Sequence, residues 1–351
     1  MAHFILVESQ NRAIEATIDH DTHTKVSKKM LEKFTEAENE VGDSGEEIKP
    51  SKNFDMDKFD RGRKFMQIHI PTISLGMFTS LVCGLSVRNL LEPLIYTGNS
   101  DTPQKAFRRY ESTFVQVCRW CFGNIWDPDD LGYKSIKLVR NMHNSVRKSM
   151  MEHEAKNENL SYIQTETKSK VTMRISQYEM SLVQAGFFGP VILNPLKFGI
   201  KCSETEMDDF VYFWYGVGYA LGIKDQNNIC LNGYKEARQI CLEISDEIVI
   251  PALKNRPKDF EKMAKVLTEG SNIPFGFPFN NFFSVESIVA IGFYGIGEKL
   301  PWLSIGDYVR FYILRFVIWM IFLFPIYERF LSKMIRKIYW ESPTINRKYK
   351  L

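Results

Sequence analysis

The chain has 351 residues, 44% of them hydrophobic and 13% aromatic, which excludes intrinsic disorder and provides for an ample core. Its net charge of +3, with no dense basic run, gives no electrostatic footprint for a nucleic-acid partner. Six cysteines in so long a chain make no disulfide framework and point to a reducing compartment.

Residues 1–53 read as a polar arm. The opening MAHFILVES lacks a basic n-region and a long apolar core, so no secretory signal is expected. Ser27 to Asn39 has the composition of a charged helix and VGDSGEEIKPSK that of a loop. His3, His20 and His23 are scattered through the arm, which favours solvation over metal binding. The folded part is expected to begin near Asp55. Beyond DKFDRGRKF, Pro71 and Pro93 bracket an apolar helical segment within Ile68 to Tyr96. Its core falls short of the roughly twenty residues that span a bilayer, so a buried helix is predicted.

TGNSDTPQ is a turn in which Asp101 or Thr102 caps the next helix and Pro103 takes its first position. That helix, Gln104 to Phe122, carries Arg109 and Thr113 on one face and ends at Gly123. Within it Cys118 and Cys121 form a CxxC with no second pair at zinc spacing, so two buried thiols are expected. Asp127, Asp129 and Asp130 match no calcium loop and read as turn formers and caps.

Ser135 to Glu154 is the stretch around which the chain is organised. Leu138, Met142, Val146 and Met150 form an apolar helical stripe, and Arg140, His143 and Arg147 share a neighbouring face. Two guanidiniums one turn either side of an imidazole hold it neutral, the form that binds a metal, and could also pair with a prosthetic group's carboxylates. The alternative is a surface helix with a solvated basic face.

Ser176 to Glu179 resembles a capping box opening a helix through Phe187 and Phe188, with Pro190 expected to kink it. Thr205 is expected to cap EMDDFVYFWYGVGYALGI, in which Trp214, Gly218 and Leu221 line one stripe. Gly216, Gly218 and Gly222 permit close approach of a helix or a flat ligand. Gly233 to Leu253 and Asp259 to Leu267 read as further helices, and SNIPFGFPFNNFF as a connection. The run Phe311 to Tyr327, with Lys333, Arg336 and Lys337 beyond it, has the length of a borderline transmembrane helix. It suits a membrane interface, a span, or a buried terminal helix. Period-two alternation is nearly absent, so the fold is predicted to be all-α, with about eight to ten helices.

Several of these stretches together resemble the rubber oxygenase (latex clearing protein) family, which includes the ER-bound mpaB-type oxygenases. The resemblance is carried by FDRGRKF, LIYTG, Arg109-xxx-Thr113, Arg140-xx-His143-xxx-Arg147, SQYEMSLVQAGFF and DDFVYFWYGVGYALGI, in order, over roughly Asp55 to Cys241. It implies an all-α catalytic domain over residues 54–303 and a hydrophobic C-terminal helix with basic tail over 304–351. It further implies haem b held through His143 as the iron ligand, with Arg109, Thr113, Arg140 and Arg147 around the cofactor and Arg109, Thr113 and Arg147 in catalysis. The implied reaction is oxidation or cleavage, by dioxygen, of a double bond in an isoprenoid or lipid-like substrate at a membrane such as the endoplasmic reticulum. One departure is clear: rubber oxygenases place a lysine immediately before the motif threonine, and here the residue is Ser112. The sixth iron position is then left open or to water. A non-catalytic helical membrane protein that keeps the fold is the rival reading. A di-iron carboxylate site is disfavoured, because position 140 is arginine where a Glu-x-x-His pair needs glutamate.

Overall fold

The computed structural model describes residues 35–156, 173–276 and 281–349. As predicted, the fold is all-α: among the described residues the only strand-like feature is one isolated bridge, Val41 to Ser176. The first seven helices are α1 Met56–Gly84, α2 Arg88–Thr97, α3 Pro103–Phe122, α4 Leu131–Lys156, α5 Gln177–Leu193, α6 Glu204–Ala220 and α7 Tyr234–Glu243. The last of these runs on through a π-helical turn, Ile244–Val249, into Ile250–Lys254. There follow α8 Phe260–Asn272, α9 Val285–Ile296, α10 Ile305–Leu323, α11 Pro325–Ile335 and α12 Pro343–Lys348.

The hub is α1, against which α5, α6, α9 and α11 all pack. It opens at Asp55, whose carboxylate accepts from Lys58 N, and runs straight past Pro71. The lost N–H is outweighed by burial on either side, where Met66, Ile70 and Ile73 have no exposed surface. The predicted break at Pro71 is therefore absent, and the helix begins fifteen residues earlier. FDRGRKF and DDFVYFWYGVGYALGI, two of the stretches read above, turn out to be one joint. Arg61 grips Asp209 of α6 with two bonds of 2.7 and 2.9 Å, and Gly62 lies where a Cβ would meet the Asp209 carbonyl oxygen at 1.9 Å. Phe59 and Phe65 then stack on Phe213 and Phe210 of the same helix.

Local signals held where the partners are close in sequence. Thr102 caps α3 with Pro103 first, Gly123 ends it, Asp130 Oδ1 accepts from Gly132 N at the start of α4, and Ser176 with Glu179 forms the full capping box of α5. Cys118 and Cys121 are buried free thiols. The cap of α6, however, is Ser203 and not Thr205, because Ser203 and Glu206 satisfy one another's backbone N–H groups reciprocally. The glycines of α6 and of the turn after it receive side chains: Gly216 faces Phe59 and Phe54, Gly218 faces Gln184, and Gly222, just beyond the helix at φ +96°, faces Asp43 and Arg140.

Two larger differences concern the ends. Residues 1–34, with His3, His20, His23 and most of the expected N-terminal helix, lie outside the described residues. Within the remainder of the arm, Ser44 N donates to Gly222 O and Glu40 O accepts from Gln177 N, so the fold extends well before Asp55. The C-terminal hydrophobic run is not one helix. It breaks at Phe324 and Pro325 into α10 and α11, bent by 104°. Pro325 has no N–H to continue α10 and forces Phe324 out of the helical region, to φ −122°, ψ 78°. By length and composition α1, and α10–α11 if taken as one bent span, could cross a membrane.

Candidate functional site

α4 buries the face that carries His143. Gly132, Ile136, Val139, His143, Arg147 and Met150 recur at intervals of four, three, four, four and three, and all but the half-buried His143 are fully buried. The apolar stripe read from the sequence faces the other way at its start: Leu138 and Met142 are 42% and 52% exposed, and only Met150 reaches the core. A histidine therefore occupies the centre of a core-facing stripe. Its Nδ1 is sealed from solvent and has no hydrogen-bond partner among the described residues. Burial, then the guanidiniums of Arg147 and Arg109, push its pKa down to about 4, against a smaller opposing pull from Asp43. The imidazole is neutral at pH 7.

The two arginines flanking it are spoken for. Arg140 gives Nε to Asp43 Oδ1 at 2.9 Å, gives Nη2 to the same oxygen, and donates Nη1 to Glu46 O at 2.8 Å. Burial raises the Asp43 pKa, but the bonds from Arg140 and Asn144 outweigh it and hold that carboxyl at about 2. Arg147 donates to Ile175 O at 2.9 and 3.1 Å, to Arg174 O at 3.1 Å, and to Asn144 Oδ1. Ile175 is held at φ 46°, a left-handed conformation that a β-branched residue rarely adopts, while Gly42 passes so close that a Cβ there would stand 2.0 Å from its carbonyl oxygen. Arg174 completes the frame by joining Glu92 of α2 to Glu154 of α4.

Arg109 is different. Its Nη1 donates only to two hydroxyls, Thr97 Oγ1 at 2.8 Å and Ser100 Oγ at 3.4 Å, and no carboxylate pairs with it among the described residues. It is a half-buried cation without a counter-charge, close enough to depress His143. One turn on, Thr113 is exposed, its hydroxyl donating to Arg109 O at 3.2 Å. α3 and α4 pack together, and Arg109 and Arg147 are close enough to His143 to act on its charge, while Thr113 lies one turn from Arg109 on α3. The other two described histidines have ordinary partners: His69 Nδ1 bonds Glu328 Oε1 at 3.0 Å, and the His153 ring lies edge-on to Tyr96.

Among the described residues no group of three or more His, Cys, Asp or Glu side chains could hold a metal ion. A lone neutral imidazole can still bind a metal whose other ligands come from a macrocycle. The donor set fits haem on that ground: one half-buried imidazole whose Nδ1 is unspent among the described residues, and one guanidinium that no carboxylate among them pairs with. Sequence reasoning missed Asp43, Asn144, Thr97 and Ser100. The Asx turn Asp43 makes with Gly45 N, at 2.9 Å, is readable locally, but its pairing across 97 positions to Arg140 is not.

A model of the family described as ER-bound oxygenase mpaB/B′/rubber oxygenase, catalytic domain, matches residues 72–248, half of the chain and the half that holds α2 to α7. No curated protein and no solved structure matches it.

Proposed function

The chain belongs to the mpaB/B′ and rubber oxygenase catalytic family, and on that premise we propose that it is a haem b-dependent oxygenase in which His143 would hold the iron. The observation that carries the proposal is the buried His143 Nδ1, which has no partner among the described residues, beside an arginine with no carboxylate partner among them. Burial of an unpaired polar atom costs on the order of 1–3 kcal/mol, and so does ordering a cation without its anion, so both are features to be completed by a ligand. Bound haem supplies the capacity to take up dioxygen and oxidise a carbon–carbon double bond.

The protein's own residues divide the remaining work. His143 is presented neutral, ready to ligate without first losing a proton. Arg109 is the anion partner, for a propionate or for negative charge developing on oxygen, through a charge-assisted hydrogen bond. Thr113 offers an exposed hydroxyl one turn from it. Arg140 and Arg147 act as positioning residues, since their donors are already engaged with Asp43 and Ile175. The substrate class that goes with this reading is isoprenoid or lipid-like, delivered from a membrane, the endoplasmic reticulum in the family's description.

The test is an absorption spectrum and haem assay of the protein expressed with haem precursor. His143→Ala is expected to lose haem, or to bind it weakly with an altered spectrum that added imidazole partly restores. His69→Ala and His153→Ala should keep the parent's haem content. Full haem with the parent spectrum in His143→Ala refutes the assignment. A parent without haem replaces the oxygenase reading by a non-catalytic one.

A further inference from the structure

We propose that the α10–α11 elbow is an in-plane membrane wedge that seats the protein on one leaflet of an anionic bilayer without crossing it. The proposal rests on the membrane association inferred above, and it lies outside the residues that the family model matches.

α10 has two apolar faces. Phe311, Leu314, Ile318 and Ile321 are buried, with α9 packed alongside, whereas Ile305, Val309, Tyr312 and Phe316 follow one another at helical spacing on the outside. Ile305 is 87% exposed, and Trp302, just ahead of the helix, is 89% exposed. Past the bend Ile326, 78% exposed, Tyr327 and Phe330 are exposed in turn. So many large apolar side chains exposed on one pair of helices are unusual on a surface bathed only in water.

The charges decide what covers it. The elbow contains two acidic residues, and both are turned inward. Asp307 accepts from Ser284 and Ser304, each at 2.6 Å, and Glu328 accepts from His69 and Thr72, each at 3.0 Å. Arg329, Lys333 and Lys337 are exposed on α11 and its continuation and make no ion pair among the described residues. Lys333 and Lys337 stand at the same helical spacing as Ile326 and Phe330, the arrangement in which long basic side chains reach headgroups while apolar neighbours enter the acyl region. The outward surface is thus apolar with only positive charge at its border. That complements an anionic leaflet and offers a protein partner few directional hydrogen bonds.

Crossing is ruled against by how the helices are held. α10 is about 28 Å long, near the span of a hydrocarbon core. Its arginines, however, are bonded to the domain: Arg315 donates to Tyr294 Oη at 3.2 Å and lies over that ring, and Arg310 donates to Asn281 O at 3.0 Å. α11 is likewise fastened to α1 by Glu328 and by Ser332, which donates to Ile68 O at 2.7 Å. A helix clamped along one face to a folded domain cannot be ringed by lipid.

The full-length protein is mixed with phosphatidylcholine vesicles, with and without about 30 mol % phosphatidylserine, and binding is read by co-sedimentation without haem or substrate. Binding is expected to both, stronger with phosphatidylserine. Tyr312→Glu/Phe330→Glu should lose binding to both vesicle types while keeping the parent's circular dichroism and melting temperature. Lys333→Glu/Lys337→Glu should lose roughly tenfold or more on the anionic vesicles only, an effect that high salt mimics. Undiminished binding by the Tyr312/Phe330 variant overturns the elbow while leaving membrane association and the oxygenase reading in place. Absence of any vesicle binding overturns the wedge. A parent dimer that this variant dissolves assigns the face to a second copy instead, and protection of the tail beyond Glu341 from protease outside sealed vesicles shows crossing; either result refutes the proposal.

Discussion

Acid should unfold this protein partly through His143, and the size of the effect follows from its surroundings. The ring's pKa falls from 6.5 to about 4 on folding. Between those values the unfolded chain binds a proton that the folded protein refuses, so stability rises with pH there. The contribution is complete above pH 6.5 and is lost as pH falls to 4. Two and a half units at about 1.36 kcal/mol each come to about 3 kcal/mol. Glu179 acts oppositely over part of the same range, since burial pushes its carboxyl up to about 7, so a single profile mixes the two. The difference between the parent and His143→Gln isolates the histidine. Urea unfolding of both proteins, freed of any cofactor, at half-unit steps from pH 4 to 7.5 should give a stability difference that shifts against the parent by about 3 kcal/mol toward the acid end. Parallel profiles would sink the claim that the ring is desolvated and crowded by cations.

Asp43→Asn should cost about 3–5 kcal/mol at neutral pH by leaving Arg140 buried without its carboxylate, and the cost should shrink below pH 4 as the parent's own Asp43, held at about 2, approaches protonation; denaturant titration at pH 7 and 3 checks both halves. Gly62→Ala should force α1 away from the Asp209 carbonyl and lower stability by about 1–3 kcal/mol, visible in the melting temperature, whereas an unchanged melt would mean the two helices are not in the contact described. Arg109→Gln should raise the pKa of His143, read from the pH titration of its ring protons by NMR; a fixed value would separate the two residues.

How much of this was legible depended on how far apart the partners stand. Thr102 with Pro103, and Ser176 with Glu179, are complete within four residues, and both caps were read correctly. Ser203 with Glu206 was equally complete, and Thr205 was preferred only because a neighbouring hydroxyl is an equally good acceptor when the reciprocal glutamate is overlooked. α9, whose capping box opens at Ser284, went unassigned because an apolar stretch between aromatic loops has no polar face to mark its period. On α4 the visible leucine and methionines drew the eye to a stripe that begins on the surface. The true buried face has a histidine and two arginines among its members, and a hydrophobicity pattern cannot register them. The elbow was hidden in the same way: Pro325 looked like one residue in a long apolar run, yet it sets the direction of everything after it.

Arginines so close to one another in a poorly solvated region cannot shed their protons, so each must be given acceptors or left for a ligand. Arg140 and Arg147 stand one turn either side of His143, and their acceptors lie on two different segments, Asp43 with Glu46 and Ile175 with Arg174. Any rotation of α4 that withdrew the imidazole would stretch both sets at once. The pair therefore fixes the angle of the ring without touching it, while burial first, and then the charges of Arg147 and Arg109, keep it neutral. Thr97 and Ser100 hold Arg109 from the far side but cannot neutralise it, because a hydroxyl carries no charge. Of the motif's cations, two are spent on orientation and one is kept in reserve, which is the distribution a site needs if its anion arrives with the cofactor.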